Sequence, residues 1–280
     1  MRGKTISIYI PDGNPRSFKI CELMEGIVRS LFIPRSRLKD FYDKSELKEP
    51  GVYFLFGEED EVGKSRVYIG EADPLITRLK QHNTDKEKDF WKTVICFVSV
   101  KRNLNKAHIK FLENYCCEKA KELNRCTIEN TTTPTRSTLT ESERDFVLNF
   151  FDELKILIST LGYPIFEETK KEQKNILVCK GKDAYAEGIY SEDGFVVFKD
   201  SKTNLSESKT AGSWVKGMRD KLKEKGILIQ KGNVRVFTAD HIFNSPSAAA
   251  ATILARRANG WTEWKNKEGK TLDEKIRRGK

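Results

Sequence analysis

Residues 4–10, "KTISIYI", alternate polar and apolar positions, the period of a half-buried strand, and "PDGNP" behind them carries turn chemistry. "ICELMEGIVRSL" repeats its apolar residues at helical spacing and predicts a helix, with a second short helix in "IPRSRLKDFY" after Pro34. Two short helices around a proline read as plain packing rather than as a helix-turn-helix. "GVYFLFG" and "SRVYIG", rich in Val, Tyr, Phe and Ile, are separated by the acidic, Gly-containing "EEDEVGK" and predict an antiparallel hairpin with a long loop. In "DPLITRLKQH", Asp73 as N-cap and Pro74 at the first helical position predict a helix start. "TVICFVSV" is a third strand. From Asn105 to about Leu123 a long helix follows, its apolar arc formed by Leu104, Ala107, Phe111, Leu112, Tyr115 and Leu123.

The Thr-rich "IENTTTPTRSTLTESE" is a loop that delivers Thr140 as N-cap, with Glu143 three residues on, a capping box ahead of "RDFVLNFFDELKILISTLGYP". "GYP" ends that helix, and the charged "EETKKEQKN" reads as a linker. Beyond it, "ILVCKG", "AYAEGIYS" and "GFVVFKD" are short strands, "SWVKGMRDKLKEKG" is a helix, "VRVFTADHIF" returns to strand, and the tail is basic. The expected organisation is an N-terminal strand/helix extension at 1–48, an α/β unit at 49–165, a linker at 166–174 and an α+β domain at 175–280.

Charge narrows the partner. Lys and Arg number 51 against 41 Asp and Glu, a formal +10 with a pI near 9.2, which favours an anionic partner such as nucleic acid or an anionic membrane surface. No apolar run approaches the ~18 residues of a bilayer span, and the N-terminus has no signal-type apolar stretch, so the expectation is a soluble, cytoplasmic protein without a membrane partner. The six cysteines are scattered without CxxC or knuckle spacing, so neither a zinc site nor a disulfide framework is expected, nor any small-molecule cofactor.

Candidate chemistry lies in the first half. Tyr53 and Tyr68 stand on neighbouring strands, Arg78 and His82 share one face of the next helix, and Glu113 lies inside the long helix. If that face meets the tyrosine strands, two phenols, a guanidinium and an imidazole converge, and a carboxylate completes a site for one divalent cation. Such a set suits phosphodiester hydrolysis, in which a metal neutralises developing charge and arginine forks onto the phosphoryl group. Taken singly, each residue has an ordinary structural role. Five required residues in order with compatible spacing carry the reading. His108, near the middle of the apolar arc, is assigned to the core.

"GVY" at 51–53 and "YIG" at 68–70, followed by Arg78, His82 and Glu113, resemble the paired signature of the GIY-YIG endonucleases, with Val for Ile at position 52. The resemblance implies that family's nuclease fold, a small central antiparallel sheet flanked by helices. It also implies roles: Tyr53 helping to deprotonate the attacking water with Tyr68 in support, Arg78 on the phosphate, Glu113 binding Mg²⁺ or Mn²⁺, and His82 relaying a proton. Asn130 falls near a position that often holds asparagine in the family. A free tyrosine has a pKa of ~10, a deficit near ~4 kcal/mol at neutral pH, so Arg78 and His82 are expected to favour the phenolate. A single such site cuts one strand, so cutting a duplex through takes two subunits, as in a homodimer, or two visits.

DNA is the implied partner, in restriction, defence or repair. Lys64, Lys80, Lys86, Lys88 and Lys92 crowd around the proposed site, and Trp214, Lys216 and Arg219 lie on a basic helix. Residues 245–272 resemble a domain of unknown function found on GIY-YIG proteins, which implies a DNA-binding part, with Asn259, Trp261 and Trp264 placed near a glycine turn to stack on a base or sugar. The alternatives are a nucleic-acid-binding protein whose nuclease fold is inactive, and an interaction module for an acidic protein.

Overall fold

The computed structural model describes residues 3–59, 64–167, 175–192 and 194–278, which form two units, one up to residue 167 and one from residue 175. Most of the expected loop after "GVYFLFG" and most of the expected linker, residues 60–63 and 168–174, lie outside the described residues. Both units are mixed α/β, each with one sheet. All six cysteines are buried free thiols. No helix among the described residues is long and apolar enough to cross a membrane.

The first sheet contains β1 (Ile6–Tyr9), β2 (Lys19–Leu23), β3 (Val28–Pro34), β4 (Gly51–Glu59), β5 (Ser65–Ala72), β6 (Trp91–Ser99) and β7 (Cys126–Ile128). Their order is β1-β2-β3-β6-β4-β5-β7, antiparallel throughout except for β5 against β7. The N-terminal segment therefore extends the sheet that carries the hairpin. The helix expected in "ICELMEGIVRSL" is the hairpin β2–β3. Short apolar runs satisfy either period, and here the turn decides: Glu25 adopts a left-handed φ of 63°, and the Glu153 carboxylate accepts from the amides of Ile27 (2.8 Å) and Val28 (3.1 Å). The segment after Pro34 is a 3-10 turn, Arg35–Phe41, so a helix-turn-helix is absent here.

Helices α1 (Leu75–Thr84), α2 (Lys106–Leu123) and α3 (Glu141–Thr160) cover the sheet. Pro74, not Asp73, precedes α1 as its cap, and the amide of Leu75 is satisfied by the carbonyl of Glu49 at 3.2 Å. Thr140 and Glu143 form the expected capping box. Strand alternation sorts the two faces: Val52, Phe54 and Phe56 of β4 join the core beneath α2 and α3, while Tyr53 and Leu55 join Leu75 and Leu79 of α1. Both signature tyrosines thus stand on the α1 face.

The second unit pairs β8 (Leu177–Lys180), β9 (Tyr185–Ser191), β10 (Gly194–Val197), β11 (Lys202–Asn204), β12 (Leu228–Lys231), β13 (Val234–Phe237) and β14 (His241–Phe243) in the order β12-β13-β11-β9-β10-β14, with β8 against β9. Helices α4 (Ser213–Glu224), α5 (Pro246–Leu254), α6 (Gly260–Glu263) and α7 (Leu272–Ile276) complete it. Three residues long, β11 has no hydrophobic period to betray it. At its end Arg219, fully buried, bonds Glu207 (2.8 Å), Thr203 Oγ1 (3.2 Å) and the carbonyls of Asn204 (2.5 Å), Leu205 (3.1 Å) and Thr252 (2.5 Å). Arg235 also reaches Glu207, at 3.0 Å.

Burial opposes ionisation of Glu207, but the hydrogen bonds from Arg219 and Arg235 outweigh it and bring the carboxyl down to about 2. A carboxyl whose folded value is depressed contributes stability that is complete above its unfolded value of 4.5 and is lost as pH falls towards 2. Glu207→Gln is expected to destabilise the second unit by roughly 3 kcal/mol at neutral pH, because it strands the buried guanidinium charge, and by progressively less between pH 4.5 and 2. Denaturant unfolding followed by tryptophan fluorescence checks this, since Trp214, Trp261 and Trp264 all lie in that unit. An unchanged midpoint would show that the carbonyl acceptors suffice for Arg219.

Candidate functional site

The site begins with a close approach. In the β4–β5 register Tyr53 stands opposite Gly70 and Leu55 opposite Tyr68, so the two phenols are diagonal neighbours, with ring centroids 6.3 Å apart. A Cβ on residue 70 would sit 2.3 Å from the Tyr53 hydroxyl, so only glycine lets the phenol lie across β5. Gly51 does the same for the helix above: a Cβ there would meet the Phe97 carbonyl at 2.4 Å and the Leu75 side chain at 2.9 Å.

Leu75, Leu79 and His82 form the inward stripe of α1, at positions i, i+4 and i+7. The stripe brings His82 Nε2 to 2.7 Å from the Tyr53 hydroxyl, where both groups are buried. Arg78, on the rim of α1, lies close enough to both phenols for its charge to act on them, and donates to Gln81 at 2.9 Å. From the other face of the sheet, α2 contributes Lys106 and Glu113. Together Tyr53, Tyr68, Glu71, Arg78, Lys106 and Glu113 line a cleft of about 340 Å³ at the end of β5. His82 stands behind Tyr53 rather than in the cleft wall.

Glu71 and Lys106, paired at 2.7 Å, were not expected in the site. Their signal was faint: Glu71 follows the glycine of "YIG", and Lys106 lies seven residues before Glu113, on the same face of one helix. Asn130 is also not in the cleft wall. Its amide brackets Ile69, accepting from the Ile69 N–H (2.9 Å) and donating to its carbonyl (2.7 Å), so it clamps β5 between Tyr68 and Gly70.

Burial sets the electrostatics. It pushes the Tyr53 phenol well above its ordinary value, with neighbouring Tyr68 adding to the rise and Arg78 only opposing it. The expected lowering is therefore reversed. Burial, reinforced by the positive charges of Lys88 and Arg78, brings His82 down to about 4, so its imidazole is neutral at physiological pH. Glu113 is raised to about 7 by burial and by the neighbouring Glu71 carboxylate, against a hydrogen bond from the Glu71 backbone. Among the described residues no group of three or more His, Cys, Asp or Glu side chains converges as a metal cluster.

The expected nucleic-acid contacts divide. Lys80 is exposed, its ammonium 4.9 Å above the Tyr42 ring, and Lys88 sits 3.8 Å over Tyr68. Lys64 is buried and donates to Asn124 at 2.8 Å, so it is no phosphate contact. In the second unit Trp214 and Lys216 are exposed on α4. Arg219 is interior, as its place between Val215 and Leu222 on the inward stripe of α4 allowed one to read. Trp264 is a core residue: it is fully buried, packs tilted against Phe195 with ring centroids 4.2 Å apart and donates to the Pro246 carbonyl at 3.1 Å. Trp261 is half-buried between Arg277 (3.6 Å) and Tyr190 (5.4 Å). Asn259 is exposed, its side chain capping α6 at the Trp261 amide (3.1 Å). His108, buried as expected, also serves as the N3 residue of the α2 capping box.

Residues 177–276 match a family model described as a domain of unknown function, DUF4357, and the stretch 245–272 singled out in the sequence falls within it. No curated protein and no solved structure matches the chain.

Two outcomes test the geometry. The His82 imidazole is expected to stay neutral to below pH 5 and to titrate with a midpoint near 4, which imidazole NMR shifts report directly; a midpoint above 6 would mean that the ring is solvated. Gly70→Ala is expected to drive Tyr53 off His82 and to cost about 1–3 kcal/mol of stability through overpacking, read by thermal unfolding.

Proposed function

We propose that the first unit is a metal-dependent endonuclease of the GIY-YIG type that hydrolyses phosphodiester bonds in DNA, in restriction, defence or repair, with the second unit contributing nucleic-acid contacts. One observation carries the reading: Tyr53, Tyr68, Arg78 and Glu113, from two strands and two helices on opposite faces of a sheet, meet in a single cleft, with His82 bonded to Tyr53 behind it.

The donor set suits a hard cation. Glu113, with Glu71 beside it, offers one or two carboxylates, the share Mg²⁺ or Mn²⁺ takes when water and substrate phosphate complete its shell. When bound, the ion supplies neutralisation of the charge that builds on the phosphoryl oxygens. Arg78 at the rim is free to turn its guanidinium onto a phosphate. With the His82 imidazole neutral, Nε2 accepts the Tyr53 proton while Tyr53 takes one from the attacking water. The phenol then never has to persist as phenolate, which its burial disfavours. Water oxygen bonds to phosphorus, the ester P–O bond breaks, the departing oxygen takes up a proton from solvent, and His82 passes the one it accepted back through Tyr53 to solvent. Tyr68 flanks the reacting water.

The same burial of Tyr53 favours a second reading, a nucleic-acid-binding unit that has kept the fold without the chemistry. Cleavage of plasmid, single-stranded and branched DNA with Mg²⁺ or Mn²⁺, beside Glu113→Ala and Tyr53→Phe, separates the two. The proposal expects each substitution to cost about 10²-fold or more in rate, as loss of a transition-state electrostatic group does. Cleavage that survives both changes would refute the assignment, and salt-sensitive binding without cleavage would favour the second reading. Because Glu113 titrates near 7, protons compete with the cation below that pH. Apparent metal affinity is expected to fall about tenfold for each pH unit below 7 and to level off above it, as calorimetric titration would show.

A further inference from the structure

A second opening in the first unit lies past the end of α1. It holds about 720 Å³ and is lined by Arg35, Ser36 and Lys39 of the 3-10 turn, by Asn83, and by Trp91 and Lys92 at the start of β6, with Asp89 at its edge. We propose that this groove is a second nucleic-acid subsite, which binds the sugar-phosphate backbone of the strand whose scissile phosphate lies in the cleft. The inference rests on the nuclease reading for the cleft and extends it to the path of the substrate.

Position is the first argument. Helix α1 is a wall of both openings: Arg78 points into the cleft, and Asn83, five residues on, lines the groove. Five helical residues rise about 7.5 Å, so a strand of a few nucleotides spans both. Lys80 over Tyr42 and Lys88 over Tyr68 lie along the same helix and the loop that follows it, and the Asn83 amide donates to Tyr42 at 3.4 Å. Cations therefore continue from one opening to the other.

Chemistry is the second. Arg35 is held in place, stacked 4.6 Å over the Trp91 ring and donating to Asp89 (2.8 Å) and to the carbonyls of Trp91 (3.3 Å) and Asn83 (3.5 Å). A guanidinium fixed in this way loses little conformational freedom when it binds an anion. Lys39 and Lys92 are exposed on the rim. Lys92 pairs with Glu58, and Arg35 with Asp89, but both carboxylates are well exposed, and such pairs are weak enough for phosphate to displace. Trp91 is buried, so the ring on which Arg35 stacks is a fixed platform. At twice the volume of the cleft, the groove takes more than a single phosphate.

The test uses the full chain carrying Glu113→Gln, so that substrate stays intact, and fluorescence anisotropy with labelled single-stranded and duplex oligonucleotides across a salt series. Lys39→Glu with Lys92→Glu is compared with Lys119→Glu and Lys155→Glu, the same charge change on the helices of the opposite face, and circular dichroism verifies folding. The groove pair is expected to weaken binding at least tenfold and to flatten the salt dependence by about 1.5 in log–log slope, while the control pair changes affinity less than threefold. In the parent background the groove pair should raise KM and leave kcat in place. Binding and KM that follow the control pair would overturn the subsite while cleavage still upheld the nuclease. Groove-dependent binding by a chain that cuts nothing would uphold the subsite as a nucleic-acid contact and overturn the nuclease. A response to inorganic phosphate alone, with none to oligonucleotides, would overturn the subsite in favour of a small-anion pocket.

Discussion

A phenol laid across a glycine and bonded to a buried imidazole constrains the whole first unit. For the Tyr53 hydroxyl to reach His82, residue 70 must lack a side chain, β4 and β5 must keep one register, and α1 must press against the sheet closely enough that residue 51 also lacks one. Shift the hairpin by one residue and Tyr53 would turn to the other face, into the core under α2. The Asn130 clamp on Ile69 works in the same direction, since it holds the edge of the hairpin where no long strand covers it. Stability and candidate chemistry are therefore the same set of contacts.

That coupling explains why the site was legible before the fold was. Tyr53, Gly70, Arg78 and His82 are tied by local geometry, strand register and helix period, which a sequence displays directly. Glu71 and Lys106 were not legible, because their meeting depends on how α2 crosses the sheet, a tertiary fact. The hairpin β2–β3 was misread as a helix for a related reason: its turn is held by Glu153, more than a hundred residues away. The phenol itself was read with the wrong sign. Opposite charge nearby was visible in the sequence, whereas the depth of burial that outweighs it was not.

The second unit depends on a different device. Arg219 replaces apolar packing at the end of β11 with a guanidinium that satisfies three backbone carbonyls and shares Glu207 with Arg235. A strand of three residues has little side-chain surface with which to define its place. A planar donor with five N–H groups defines it by hydrogen bonding instead, provided that its charge is matched.

These cases bear on how a net charge of +10 is to be read. Lys64 and Arg219 count towards the total, yet they spend their charge inside the protein, where no phosphate reaches them, and Arg235 spends part of its charge on Glu207. Trp264 is likewise absent from the surface where a base could stack. What remains for an anionic partner is smaller than the composition suggests, and its distribution matters more than its sum. In the first unit a set of these cations lies around α1: Arg78 at the cleft, Lys80 and Lys88 over tyrosine rings, and Arg35 pinned on Trp91. Charges held against aromatic faces and fixed by backbone carbonyls are already ordered before an anion arrives. Their arrangement, rather than the excess of basic residues, is the physical ground for proposing that this face takes a phosphate chain.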